Sequence, residues 1–294
     1  MRRQKSFENE GGVLYVVGTP IGNLSDLSDR AREVLAGVNV VACEDTRHTR
    51  KLLSHLGLSV PTISYHEHNR FSRLSGLMER LLRGERIAMV SDAGMPGISD
   101  PGEELIREAV EQDIPVIPVP GPSAALSAVV ASGLSPQPFL FIGFLPRNSR
   151  DRTAELTRWK ETPATLIFYE APHRILAMLK DVARVLGDRR AAVARELTKK
   201  HEEWLRGTVT ECIHRLEEEK PRGEFTVVVE KALLEQTGKE DRPASWWRAL
   251  TIQEHVDWHI RRGKSKKEAV KAVAGERSVP KREVYNEYHR DRRT

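Results

Sequence analysis

The stretch VLYVVGTPIGN, Val13–Asn23, decides the fold. Val13–Val17 is an unbroken apolar run, three of its five residues β-branched, and it stops at a glycine. That is the signature of a strand buried on both faces. Gly18, Pro20 and Gly22 then form a loop at the carboxyl edge of that strand, where open α/β sheets carry their ligand loops. The loop is neither G-x-G-x-x-G nor a Walker loop, because no Lys-Ser or Lys-Thr follows, so nucleotide binding of those kinds is disfavoured. Taken alone, it also fits a tight strand-to-helix turn that needs glycine.

Working outward, short apolar runs alternate with amphipathic ones. Strands are predicted at Val13–Val17, Val38–Ala42, Thr62–Tyr65, Arg86–Val90, Pro115–Val119 and Phe139–Gly143. Helices are predicted at Leu27–Leu35, Thr46–Leu56, Phe71–Leu82, Glu103–Glu111 and Pro122–Ala131, where apolar residues recur at helical spacing. This gives an N-terminal α/β domain over 13–145. The polar, proline-containing segment Leu145–Arg150 reads as a junction. A second α/β domain over 146–232 follows, with strands at Thr165–Tyr169, Ala191–Arg195 and Glu224–Glu230 and helices at Arg152–Lys160, Arg174–Leu186 and Val209–Glu218. Two consecutive α/β domains leave a ligand cleft between them.

Beyond Lys231 the composition changes. Residues 233–244 read as a polar linker, and 245–294 as a small basic domain of three helices, Ile252–Ile260, Lys266–Ala274 and Lys281–Tyr288, with the outline of a helix-turn-helix. Ser265 and Glu268 form a capping-box pattern, and Ser278 and Pro280 are placed at the start of the third helix. From Lys239 onward the chain holds 15 Lys and Arg against 9 Asp and Glu. The net charge of +5 therefore belongs to this end, which fits a polyanion-binding module on a nearly neutral body.

The chain has 294 residues, 39% hydrophobic and 30% charged, which suits two or more globular domains and excludes a disordered chain. No apolar run approaches the ~20 residues of a bilayer span. Residues 1–12 lack the apolar core of a secretory signal and are expected to be a disordered N-terminal segment. A cytoplasmic protein without membrane partners is the expectation. Cys43 and Cys212 lie too far apart in sequence to suggest a disulfide framework or a thiolate zinc site.

Two further loops carry chemistry. Ser91–Gly102, SDAGMPGISDPG, is too rich in glycine and proline for a simple connector and should bring backbone groups close to a ligand. Pro118–Ala125, PVPGPSAA, leads from a strand into a helix of small residues. Three such loops after three strands point to one binding edge.

These segments, together with EDTRHT at Glu44–Thr49, GFLP at Gly143–Pro146, TLIFYEAPHR at Thr165–Arg174 and ARELTK at Ala194–Lys199, carry a resemblance over nearly the whole chain. The sequence resembles the tetrapyrrole methylase superfamily, and most closely its ribosomal RNA small subunit methyltransferase I family. The resemblance implies a homodimer holding S-adenosylmethionine between two α/β domains and methylating the ribose 2′-hydroxyl of a cytidine in the decoding region of 16S ribosomal RNA. It carries over cofactor-binding positions to Ile21, Ala93, Gly94, Met95, Ile98, Ser123, Ala124, Glu170 and Leu197. Asp92, inside the ligand loop, is added as a carboxylate for the cofactor's amino group or ribose.

The expected catalytic set is Arg47, Glu170, Glu196 and Lys199, since loss of the hydroxyl proton needs an acceptor and the charge around it a partner. Arg47 equally suits an RNA phosphate contact, while Glu196 and Lys199 equally suit a surface ion pair. His66, His68, Arg70, His173 and Arg174 are weaker candidates. A metal at the His66-x-His68 pair is rejected for want of a third ligand. Two other readings stay open: a small-molecule methyltransferase of the same fold acting on a tetrapyrrole precursor, and a noncatalytic ribosome-binding factor.

Overall fold

The computed structural model describes residues 3–6, 11–218, 220–232 and 246–290, so the expected linker 233–244 lies outside the described residues, as do 1–2 and 7–10 of the N-terminal segment. The chain divides into two compact units, Met1–Leu233 and Leu234–Thr294.

The first half of the larger unit runs β1 (Val13–Val17), α1 (Asp29–Gly37), β2 (Val40–Cys43), α2 (Thr46–His55), β3 (Thr62–Ser64), α3 (Arg70–Leu82), β4 (Arg86–Val90), α4 (Glu103–Glu111), β5 (Val116–Val119) and α5 (Ala124–Ala131). The strands form a parallel sheet in the order β3-β2-β4-β1-β5. Its strands are apolar throughout because both faces are covered. Leu14 and Val16 enter one core with Leu77, Leu81 and Leu105, while Val17 enters the other with Leu35, Leu53 and Val119. The helix starts follow their sequence signals: Ser28, Asp45 and Ser123 cap α1, α2 and α5 by accepting backbone N–H bonds.

The second half comprises β6 (Phe139–Phe144), α6 (Ser149–Trp159), β7 (Thr165–Glu170), α7 (Ile175–Leu186), β8 (Arg190–Arg195), β9 (Glu203–Thr208), α8 (Val209–Glu218) and β10 (Phe225–Val229). Its sheet is ordered β6-β7-β10-β8-β9, parallel between β6 and β7 and antiparallel elsewhere. Two expectations change. The strand from Phe139, which the pattern attaches to the first sheet, pairs with β7 in the second. The outer edge of β5 is instead met by Gln4, whose side-chain amide donates to the Val116 carbonyl and accepts from its N–H, both at 3.0 Å. The strand β9 escaped the sequence reading because Glu203–Thr208 is mixed in polarity and contains Gly207; it is a half-buried edge strand.

Helices α6 and α7 are joined by a buried ion pair. Arg152 Nη2 lies 2.6 Å from Asp181 Oδ2, with side-chain exposures of 5% and 10%. Arg152 also donates to the carbonyls of Pro146 and Arg147, and Asp181 accepts from Ser149.

The smaller unit contains α9 (Ile252–Arg261), α10 (Lys266–Arg277) and α11 (Lys281–Arg290) around Val256, Val270, Val273, Val284 and Tyr288. Thr251 with Glu254 and Ser265 with Glu268 form complete capping boxes. Ser278 takes a different place from the one expected: it closes α10 in a left-handed conformation, with φ 55°. His255, buried on α9, accepts from Arg277 Nε at Nδ1 (3.1 Å) and faces Glu276 with Nε2 (2.8 Å). His259 Nε2 lies 3.0 Å from the other oxygen of Glu276. Because the arginine donor holds Nδ1 as acceptor, the proton of neutral His255 sits on Nε2, toward Glu276. His255 thus links α9 to α10 through Glu276 and Arg277, while the buried His259 Nε2 has no hydrogen-bond partner among the described residues. Among the described residues no helix is long and apolar enough to cross a membrane.

Replacing Asp181 with alanine leaves Arg152 charged and buried, so chemical unfolding should show a loss of about 3–5 kcal/mol. A loss below 1 kcal/mol would mean that the pair does not hold α6 to α7.

Candidate active site

A cavity of about 520 Å³ opens between the carboxyl edge of the first sheet and the neighbouring edge of the second. Its floor is where the three glycine-rich loops meet. Gly18 and Gly121 approach so closely that a Cβ added to either would lie 2.7 Å from the Cα of the other, a contact only glycine can make. Thr19 and Gly94 exchange two backbone hydrogen bonds, at 2.9 and 3.1 Å, and the Thr19 hydroxyl donates to the Ser91 carbonyl. The loops after β1, β4 and β5 are thus one backbone assembly.

All ten expected cofactor positions line this cavity. Ile21, Ala93, Gly94, Met95 and Ile98 come from the first two loops, Ser123 and Ala124 from the third, and Glu170 and Leu197 from the second sheet. Asp92 lines it too, and its Oδ1 accepts the Asp45 N–H at 3.1 Å, tying the ligand loop to the start of α2.

The expected catalytic residues divide. Glu170 and Lys199 line the cavity. Glu170, at the end of β7, is 2% exposed; its Oε1 accepts the Ala171 N–H at 2.9 Å and pairs with Arg174 at 3.2 Å. Its Oε2 is buried with no partner among the described residues. Burial raises the Glu170 carboxyl above its ordinary range, against the opposing pull of the Ala171 N–H and Arg174. Lys199 donates to both Glu196 Oε1 (2.8 Å) and Glu224 Oε2 (2.9 Å). Despite partial burial, these bonds hold the Lys199 ammonium above, and the Glu196 carboxyl below, their usual ranges. Glu196 therefore stands behind Lys199, outside the cavity lining. Arg47 is not brought to the cavity wall: it is 86% exposed on the first turn of α2 and pairs with Asp45.

Of the weaker candidates, His173 lines the cavity, Arg174 supports Glu170 and donates to the Leu145 carbonyl, and Arg70 pairs with Glu67 and Glu104. His66 is held by Asn69, which accepts its backbone N–H and approaches its Nε2. Sequence reasoning missed Asp100, Phe144, Tyr169 and Thr226 as lining residues. Asp100 stood within the quoted loop, but nothing in its spacing sets it apart from Asp92. The Tyr169 hydroxyl accepts the Ala125 N–H at 3.1 Å, anchoring the start of α5, and its ring meets Phe141 and Phe144 edge-on.

The charge of the cavity limits what it can hold. Asp92, Asp100, Glu170 and Glu224 face it, and the lysine on its wall is already shared by two carboxylates. Such a wall suits a cationic ligand and opposes a polyphosphate.

Gly121→Ala should push the β1 and β5 loops apart and weaken ligand binding at least tenfold by calorimetry. Gly76→Ala, on an exposed turn of α3 with open space around its Cβ, should leave binding unchanged and add about 0.5–1 kcal/mol of stability. Equal affinity in the two variants would refute the role assigned to the glycine crossing.

Comparison with known proteins identifies the fold and the family. Residues 13–213 match the family model for tetrapyrrole (corrin/porphyrin) methylases. The chain is 48% identical to the ribosomal RNA small subunit methyltransferase I of Bacillus subtilis, covering 98% of this chain and 99% of that protein. It is 46% identical to the protein of the same name from Halalkalibacterium halodurans, covering 99% and 100%. Among solved structures, the methyltransferase CobJ shares the fold with a TM-score of 0.58 over 75% of this chain and 95% of that one, at 17% identity. The chain belongs to the ribosomal RNA small subunit methyltransferase I family, within the tetrapyrrole methylases.

Proposed function

We propose that this protein transfers a methyl group from S-adenosylmethionine to the ribose 2′-hydroxyl of a cytidine in the decoding region of 16S ribosomal RNA. The observation that carries the reading is the joining of all ten expected cofactor positions in one acidic cavity. S-adenosylmethionine is a sulfonium with an ammonium group, so its charge matches Asp92 and the unpartnered Glu170 oxygen. The apolar side chains of Ile21, Met95, Ile98 and Leu197 suit its adenine and thioether-like parts. When bound, it supplies an already activated methyl group. The protein's task is then to align the hydroxyl and to help its proton leave.

In this reading Lys199, fixed by Glu196 and Glu224, holds the target nucleotide, and exposed Arg47 contacts a neighbouring phosphate. The smaller unit carries the RNA. Arg261, Arg262, Lys264, Lys266, Lys267 and Lys271 are exposed around the turn between α9 and α10, where cations release counterions from phosphates. Assembly as a homodimer is supported by apolar residues left on the surface, notably Val130 of α5 at 74% exposure. The substrate places the enzyme in the cytoplasm, with the small ribosomal subunit as partner.

Mass spectrometry of 16S ribosomal RNA from cells with and without the protein tests the reading directly. One 2′-O-methylcytidine should be lost with the gene and regained with it. Unchanged RNA would overturn the proposal. Removing residues 241–294 should leave cofactor affinity intact, weaken RNA binding, and flatten the plot of log affinity against log salt by about one unit for each phosphate the shortened chain no longer neutralises. An unchanged slope would exclude the smaller unit from RNA binding.

A further inference from the structure

We infer that the outward face of α11 is a stacking platform for an unpaired RNA base, centred on Tyr285; the inference rests on the RNA-substrate reading above. Arg282, Tyr285, Asn286 and His289 stand at positions i, i+3, i+4 and i+7, so they form one stripe along the helix. The core takes the neighbouring stripe of Val284 and Tyr288. Tyr285 is 54% exposed, with Arg282 and Asn286 exposed beside it. The two carboxylates of α11, Glu283 and Glu287, fall on the far flank, where Arg290 pairs with Glu287.

The composition of the stripe selects its ligand. Each of its four side chains ends in a planar group that can stack on a base or hydrogen-bond with it, and none is a carboxylate that would repel phosphate. The guanidinium of Arg282 adds positive charge suited to a polyanion. His289 meets the Tyr285 ring with 4.5 Å between centroids and 60° between planes. Braced in this way, the tyrosine has less rotamer freedom left to lose when a base stacks on it.

The stripe also joins the cations of the α9–α10 turn. His289 contacts Tyr288, with 5.5 Å between ring centroids, and the Nζ of Lys266 at the start of α10 lies 5.2 Å from the centroid of that same Tyr288 ring. Lys266, Tyr288, His289 and Tyr285 therefore form a continuous run of contacts. One strand can set its phosphates on the turn and a base on the ring.

The shape of RNA decides which bases such a face can take. The major groove of A-form RNA is deep and narrow, so a helix cannot reach base edges there as it does in DNA. An aromatic ring on an exposed helix face meets RNA bases where they are unpaired, in a loop, a bulge or a single strand.

The test uses the full-length chain with a fluorescently labelled short single-stranded RNA, the blunt duplex of the same sequence, and purified small subunits. Anisotropy titrations over a range of salt give the affinities. Tyr285→Ala should weaken single-strand binding about 5–150-fold and leave the slope of log affinity against log salt unchanged, because a stack releases no counterions. Tyr285→Phe, which keeps the ring, should bind within about twofold of wild type. On small subunits Tyr285→Ala should raise KM and leave kcat near that of wild type, since the platform holds RNA and does not touch the reacting atoms. Single-strand affinity unchanged in Tyr285→Ala overturns the inference. So does an equal loss in Tyr285→Phe, which would assign the hydroxyl rather than the ring, or an equal loss on the duplex, which would assign a groove. A diminished helical signal in the circular dichroism of Tyr285→Ala would make the residue structural and overturn it as well. Failure of the wild-type protein to methylate small subunits would refute the functional reading, and the anisotropy titrations would still decide the role of Tyr285.

Discussion

The site depends on one backbone contact, the crossing of Gly18 and Gly121. Parallel strands β1 and β5 end side by side, and the loops leaving them can share the sheet edge only if neither carries a side chain at the crossing. The paired hydrogen bonds of Thr19 and Gly94 then add the β4 loop to the same layer. Each loop alone would be a surface connector with conformational freedom to lose on binding. Joined, they present a rigid floor whose ordering is completed during folding, so that a ligand does not have to supply it.

On that floor the electrostatics are deliberate in their imbalance. Carboxylates are costly to bury, and proteins usually answer them with cations. Here Arg152 answers Asp181 in the second-sheet core, and Arg174 answers Glu170 from behind. Asp92 and Asp100, in contrast, share the cavity with Glu44 close by and no arginine among its lining residues. Such an arrangement is stabilised once a cation enters, which is the same condition that favours a sulfonium donor over a phosphate-bearing cofactor.

Much of this was legible in the sequence, for identifiable reasons. Strands buried on both faces, such as Val13–Val17 and Arg86–Val90, read as uninterrupted apolar runs and were placed to the residue. The ligand loops were visible because close backbone approach demands glycine. Pairing was not legible: nothing in Phe139–Phe144 states which sheet it joins, since parallel pairing is settled by distant packing. Nor was Glu203–Thr208, a half-buried edge strand with mixed polarity. At the site, sequence neighbours of a motif were overvalued. Arg47 looks catalytic beside Glu44 and Asp45, yet its side chain points into solvent at the start of α2. Nothing in the local pattern marks Tyr169 or Asp100 as lining residues, because a strand end and a turn bring them to the cavity.

The same acidic wall bears on the proposed RNA substrate. A cavity lined by carboxylates repels the phosphates of an approaching RNA, and its lysine is already neutralised by Glu196 and Glu224. Attraction for a polyanion must therefore come from elsewhere on the chain. In the proposed reading the exposed cations around the α9–α10 turn supply it. In that reading, separating the two tasks lets the cavity stay acidic for its donor while the basic unit binds phosphate. Neither property could be strengthened within a single surface without weakening the other.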